Sequence, residues 1–228
     1  MRFLSSGITF FFLLIGIGCF GQSESLPKEL KNKIRQGMED GDIPGIAVAV
    51  IEKGKDPVFL TLGKRSVESN KNITPYTRFE IGSCSKSFTA LALLKLEKEG
   101  KVDLNDPVSK YLPWFKVQYK GKQQAITLNQ LLHHTSGIPF KTISKIQPLQ
   151  GEDALEKTVR TLRNIELSSP PGSNYEYATI NYDVIGLIIE KVSNLSYEEF
   201  MRTEVFHFLE LRNTTVGWGK AEKSCCRA

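Results

Sequence analysis

The chain has 228 residues, 40% hydrophobic and 24% charged, which describes an ordinary globular protein with apolar content for one sizeable core. Its formal charge is +5, and Arg2 is the only charged residue among the first 21, so losing that stretch leaves +4. A surplus this small, interspersed with acids, gives no ground for a nucleic-acid partner.

Met1-Arg2 and the apolar run Ile8 to Phe20, ending in Gly21, read as an export leader: one basic residue, a short apolar core, then small residues at a cleavage point. A membrane anchor is the alternative, but the run is shorter than the roughly 20 apolar residues of a spanning helix. Cys19 after Gly18 resembles a lipoprotein acceptor and offers a possible lipid tether, although Gly16 stands where the usual leucine would be. The expected location is periplasmic or secreted, with membrane tethering as the variant. Once the leader is removed, Cys84, Cys225 and Cys226 remain, in a spacing that suggests neither a disulfide framework nor a zinc site.

Glu24 to Gly41 reads as a first helix with Leu26, Leu30, Ile34 and Met38 on one stripe. Pro44-Gly45 turns it into a buried strand, Ile46 to Ile51, and Val58 to Gly63 reads as the return strand. Two strands alone are marginal in water, so further partners are expected. Asn70 to Thr77 is a polar loop leading to Phe79-Glu80-Ile81-Gly82-Ser83-Cys84-Ser85-Lys86-Ser87-Phe88-Thr89-Ala90.

There the pattern becomes helical, with Phe88, Leu91, Ala92, Leu94 and Leu96 at three- and four-residue steps and Gly100 as the stop. Ser83 and Lys86 then lie three apart in or beside the first turn and can face one way. A hydroxyl beside an amine is a candidate nucleophile with its proton acceptor, and the free amides of a helix start favour developing negative charge. The plainer alternative is an N-cap serine with a solvated lysine. Cys84 reads as a small apolar residue buried under the helix start, a catalytic thiol being the alternative.

Lys101 to Tyr111 is a packed connection in which Asn105-Asp106-Pro107 starts a short helix. Thr127 caps another that carries Leu128, Leu131 and Leu132. His133 and His134 invite a metal, yet sequence neighbours on a helix point apart and no further ligand is near, so no metal and no cofactor are expected. His207, within Val205 to Leu209, reads as a core or interface histidine, and no Ser-His-Asp set is available. Proton transfer therefore falls to Lys or Tyr. After the rigid turn Pro170-Pro171-Gly172 come Tyr177, Thr179 and Asn181, then a helix built on Tyr182, Ile185, Leu187, Ile188, Ile189 and Val192, with Ser196 and Glu199 boxing the next one. Taken alone, Tyr177 reads first as a core aromatic in a loop.

The Phe79–Ala90 stretch resembles, nearly residue for residue, the nucleophile motif of the serine beta-lactamase and penicillin-binding family, in its class C/DD-peptidase branch, whose signatures include Ser-x-x-Lys. The resemblance runs from about Pro44 to about Gly217 and takes in His134-Thr135-Ser136-Gly137, a hallmark that buttresses the site. It implies an α/β (α+β) beta-lactamase/DD-peptidase-like fold: a helical lobe plus an antiparallel sheet, incomplete because the C-terminal strands are missing. With the leader at 1–21, it implies the N-terminal part of a beta-lactamase-like domain at 22–217, followed by an atypical tail at 218–228.

By the same resemblance Ser83 is the acylated nucleophile, Lys86 activates it, and Tyr177 matches the tyrosine that shuttles the proton. Thr179 stands at a substrate-binding position where the family has Asn, and a hydroxyl offers fewer donors and acceptors than an amide. Asn181, two residues on, compensates only if the local backbone differs. The family's Lys-Thr-Gly or His-x-Gly strand is not found, Lys223-Ser224-Cys225 being the nearest string.

The function implied is a serine hydrolase acting through an acyl-enzyme on the amide or ester carbonyl of a beta-lactam, a D-Ala-D-Ala peptide or an ester. The expected partner is thus a small-molecule or peptide substrate. The alternative is a truncated, non-catalytic relative that binds peptidoglycan peptide or a partner protein. The 228-residue chain by itself is expected to be weakly active or inactive.

Overall fold

The computed structural model describes residues 26–217, except Val67, Ser69, residues 147–150 and Glu152. The leader, Cys19, the 218–228 tail, Lys223-Ser224-Cys225 and Cys226 lie outside the described residues. Contacts divide the chain into two compact units with a boundary between Thr77 and Arg78.

The first unit holds helix α1 (Lys28–Asp40) and strands β1 (Gly45–Val50) and β2 (Val58–Gly63). Pro27 takes the N-cap position, so the helix starts later than the Glu24 expected from its apolar stripe. β1 and β2 form an antiparallel hairpin, Gly45 opposite Gly63 and Val50 opposite Val58. Among the described residues neither strand has another partner. β1 follows a burial pattern with period two only in part, and Phe59 and Ile51 are exposed.

The second unit is the helical lobe. Its helices are α2 (Ser85–Lys98), α3 (Val108–Tyr111), α4 (Leu128–Leu132), α5 (Ala154–Arg160), α6 (Ile180–Ser193) and α7 (Tyr197–Phe200), the last continuing into a π-turn, Met201–Phe206. At its centre lies α6. Ile180, Val184, Ile185, Leu187, Ile188 and Ile189 are fully enclosed, which is why this helix is apolar on nearly all sides and why α2, α3, α4, α5 and α7 all pack on it. Each such aliphatic side chain contributes about 1.5–3 kcal/mol through burial.

The helix ends follow the sequence. Thr127 and Gln130 form a reciprocal capping box on α4, and Ser196 accepts from the Glu199 N–H on α7. α2 stops at Gly100 (φ +70), where the Gly100 and Lys101 N–H groups donate to the Glu97 and Leu96 carbonyls in a Schellman arrangement. Along α2 the buried face is Thr89, Ala92, Leu93 and Leu96, whereas Leu94 is 43% exposed. At 100° per residue Leu94 falls off the stripe that meets α6, so its place in the expected stripe belongs to Leu93.

A second sheet, not anticipated from the sequence, joins β3 (Val117–Tyr119), β4 (Lys122–Gln124) and β5 (Ile165–Glu166) in the order β4-β3-β5. β3 and β4 form a hairpin about Lys120–Gly121, both at positive φ, and β5 pairs parallel to β3.

Two further expectations need correction. Cys84 is exposed, not buried under the helix start: the 3-10 turn Gly82–Cys84 that carries it buries none of its residues. His207 is exposed, which removes the core alternative of its core-or-interface reading, since Val205 and Phe206 take the core-facing positions of the π-turn.

Candidate active site

Ser83 occupies the middle of a 3-10 turn, Gly82–Cys84, that runs directly into α2. The turn uses the Cys84 and Ser85 N–H groups, which donate to Ile81, Gly82 and Ser83 carbonyls, and leaves the Ser83 N–H outside its hydrogen bonds. Lys86, one turn along, brings its Nζ to 3.1 Å from the Ser83 hydroxyl. That proximity is local and follows from the three-residue spacing.

Tyr177 arrives from the other end of the lobe, and its hydroxyl lies 2.8 Å from Ser83 Oγ. The three side chains assigned to the chemistry from the sequence therefore meet on one oxygen. Hydrogen bonding from Ser83, then from Lys86, holds the Tyr177 phenol below its ordinary pKa; partial burial opposes, and Thr179 adds a smaller contribution. Lys86 Nζ also lies 5.3 Å from the Tyr177 ring centre and 5.6 Å from that of Tyr182, within cation–π range of both.

The loop carrying Tyr177 is placed by the His134–Gly137 segment. The Glu176 N–H donates to the His134 carbonyl (2.8 Å), Gly172 to Thr135 (2.7 Å) and Ser168 to Gly137 (2.9 Å). Gly137 has φ +77, and a Cβ there would stand 2.2 Å from the Ser169 carbonyl oxygen, so no other residue fits. His134 Nδ1 accepts from the Ala178 N–H at 3.3 Å, which puts the ring proton on Nε2. Burial, and secondarily the charge of Lys86, hold its pKa below the ordinary histidine value. The ring lies 4.4 Å from that of Tyr177. His133 turns away to bond the Asn129 carbonyl, so the two histidines do not converge.

Asn181, fully buried, completes this support. Its Oδ1 accepts from Ser136 Oγ (3.0 Å) and its Nδ2 faces His134 Nδ1 (3.2 Å). It is committed to the buttress and does not stand in for the amide that Thr179 replaces. Thr179 is the N-cap residue of α6, already helical in its backbone, and makes no capping bond. Tyr182, the next residue after Asn181, donates its hydroxyl to the Leu132 carbonyl at 3.1 Å, with its ring 5.6 Å from Lys86 Nζ. Asp183 follows it, largely enclosed, and its carboxyl is pushed up to about 6 by burial, with the Lys86 charge opposing. The only hint of it in the sequence is an acid interrupting an otherwise apolar helix.

A helical lobe that seats a serine, a lysine and a tyrosine within hydrogen-bond reach is the arrangement of serine hydrolases that work through a Ser-x-x-Lys pair. Comparison with known proteins agrees. Residues 30–225 match the Beta-lactamase family, and the chain belongs to it, a family of serine hydrolases. It is 37% identical over 190 residues to Protein flp of Staphylococcus aureus (strain MW2), covering 82% of this chain and 38% of that protein. It is 33% identical over 217 residues to a Beta-lactamase of Escherichia coli (strain K12), covering 92% of this chain and 54% of that one. Among solved structures, the octameric penicillin-binding protein homologue from Pyrococcus abyssi superposes with a TM-score of 0.74 at 33% identity, over 86% of this chain and 45% of that chain. The chain thus spans between about two fifths and just over half the length of these relatives.

Proposed function

We propose that the protein is a serine hydrolase of the beta-lactamase/DD-peptidase type that works through an acyl-enzyme. The observation that carries this reading is the convergence of Lys86 Nζ and Tyr177 OH on Ser83 Oγ. In the first step Ser83 Oγ forms a bond to the substrate carbonyl carbon and its proton passes to the Lys86–Tyr177 pair. The tetrahedral oxyanion develops beside the unengaged Ser83 N–H, and an oriented donor there is worth about 100- to 1000-fold in rate. The pair returns the proton to the departing amine or alcohol, which breaks the carbonyl–leaving-group bond. Water then attacks the ester carbonyl and gives its proton to the same pair; as the acyl carbon–Oγ bond breaks, the pair passes that proton to Ser83 Oγ, releasing the acid and restoring the hydroxyl.

The substrate class is an amide or ester carbonyl: a beta-lactam, a D-Ala-D-Ala peptide or an ester, all of which one such site can host. Export to the periplasm or medium is part of the proposal, supported by the Met1–Gly21 leader, and fractionation of expressing cells tests it. A second reading, a non-catalytic relative that binds peptidoglycan peptide, is favoured by Thr179, which lacks the amide's second donor.

Covalent labelling separates the two. The purified chain is incubated with a fluorescent penicillin and, separately, with an activated aryl ester, and the adduct is located by peptide mass spectrometry. Slow acylation at Ser83, lost in Ser83→Ala and reduced at least 100-fold in Tyr177→Phe, is expected. No adduct with either reagent, or an adduct that persists in Ser83→Ala, refutes the hydrolase reading.

A further inference from the structure

We propose that Tyr182 is a positioning residue whose ring holds the Lys86 amino group toward Ser83 Oγ; this deepens the reading of Ser83 as nucleophile and rests on it. A lysine carries its amine on a flexible four-carbon stem with three rotatable donors. The three-residue spacing makes Ser83 and Lys86 neighbours. Which rotamer the stem adopts, and so whether Nζ rests 3.1 Å from the Ser83 hydroxyl, depends on what surrounds it. Two rings flank the amine, their centres 5.3 Å away for Tyr177 and 5.6 Å for Tyr182. At that range the electron-rich face of each attracts a cation.

The two rings are not equivalent. Tyr177 sits in a loop, and its hydroxyl is engaged in the chemistry, 2.8 Å from Ser83 Oγ. Tyr182 sits in the first turn of α6, the helix on which both α2 and α4 pack. Its hydroxyl donates to the Leu132 carbonyl at 3.1 Å, one of those that the end of α4 leaves without an intrahelical partner. Its ring lies 5.4 Å from that of His134, and His134 is itself pinned by the Ala178 N–H and Asn181. Helix, hydroxyl and neighbouring ring thus fix Tyr182 from three sides. With the hydroxyl turned to α4, what Tyr182 presents to Lys86 is its ring.

A purely structural tie between α4 and α6 needs the hydroxyl, whereas holding Lys86 needs the ring, and that difference separates the two roles. A ring contact of this kind biases a flexible cation by roughly 3- to 30-fold. How often Ser83 meets its proton acceptor in reactive geometry scales with that bias.

The test reads the position of Lys86 and the labelling of Ser83 side by side. The ε-methylene proton signals of 13C-labelled lysine, assigned by their loss in Lys86→Met, are recorded at one pH in the wild type, Tyr182→Phe, Tyr182→Leu and Tyr182→Met. An amine held over ring faces places these protons upfield of free lysine in the wild type. Tyr182→Phe should keep that position and label Ser83 with the aryl ester near the wild-type rate. Tyr182→Leu and Tyr182→Met should both move the signal toward free lysine and slow labelling roughly 3- to 30-fold. A wild-type signal at the free-lysine position overturns the proposal, and this reading needs no variant to fold. So does a Tyr182→Phe variant that behaves like Tyr182→Leu, which would make the hydroxyl tie the cause, or a signal or labelling rate unchanged in both ring-less variants. If the signals move as expected while Ser83 is never labelled even in the wild type, the ring contact stands and the hydrolase reading falls.

Discussion

Replacing Asp183 with asparagine should stabilise the helical lobe at neutral pH while leaving it nearly unchanged in acid. In the folded chain the carboxyl titrates at about 6 instead of 3.8, because burial penalises its charged form. Between those values the folded state holds a proton that the unfolded state has released, so stability falls as pH rises through this window. Below 3.8 both states are protonated and the penalty vanishes; above about 6 both are ionised and it is complete. A displacement of roughly two pH units corresponds to about 3 kcal/mol. Asparagine keeps the shape and removes the charge. Urea denaturation of wild type and variant across pH 4 to 8 isolates the effect, since every other titrating group is shared and cancels in the difference. The variant's advantage should grow by about 2.5 kcal/mol from pH 4 to pH 8. A difference that stays flat across that range would mean that Asp183 is solvated or paired and would sink the argument.

Other substitutions probe the scaffold around the site. Gly137→Ala places a Cβ 2.2 Å from the Ser169 carbonyl at φ +77 and should cost about 3 kcal/mol or more, seen as a large drop in melting temperature; a melting point near wild type would show that the loop relaxes freely. Asn181→Leu removes the partner of both Ser136 and His134 inside the core, and a loss of about 2–3 kcal/mol is expected. Because that network holds the Tyr177 loop, labelling of Ser83 should slow in the same variant. Unchanged labelling would separate the buttress from the site.

Much of the lobe was legible because its helices are governed by local rules. The 3.6-residue repeat, the Thr127–Gln130 box and the Gly100 stop each act within a few residues, and α2, α4 and α6 appear where those signals lie. The second sheet was not legible. Its strands are two or three residues long, too short for alternation to register, and β5 pairs with β3 only after the chain has passed through α4 and α5. Exposure was misread at Cys84 and Leu94, and in the core alternative for His207, since an apolar neighbourhood in sequence does not say which side of a turn or helix meets the core.

Sequence alone settled that Ser83 and Lys86 are neighbours, because three residues of turn and helix fix that distance whatever the rest of the chain does. Whether a tyrosine 94 residues away reaches the same hydroxyl was decided only by the folded lobe. The His134–Gly137 strand of hydrogen bonds and the buried Asn181 hold that loop in place, and such long-range placement depends on packing that no local pattern encodes.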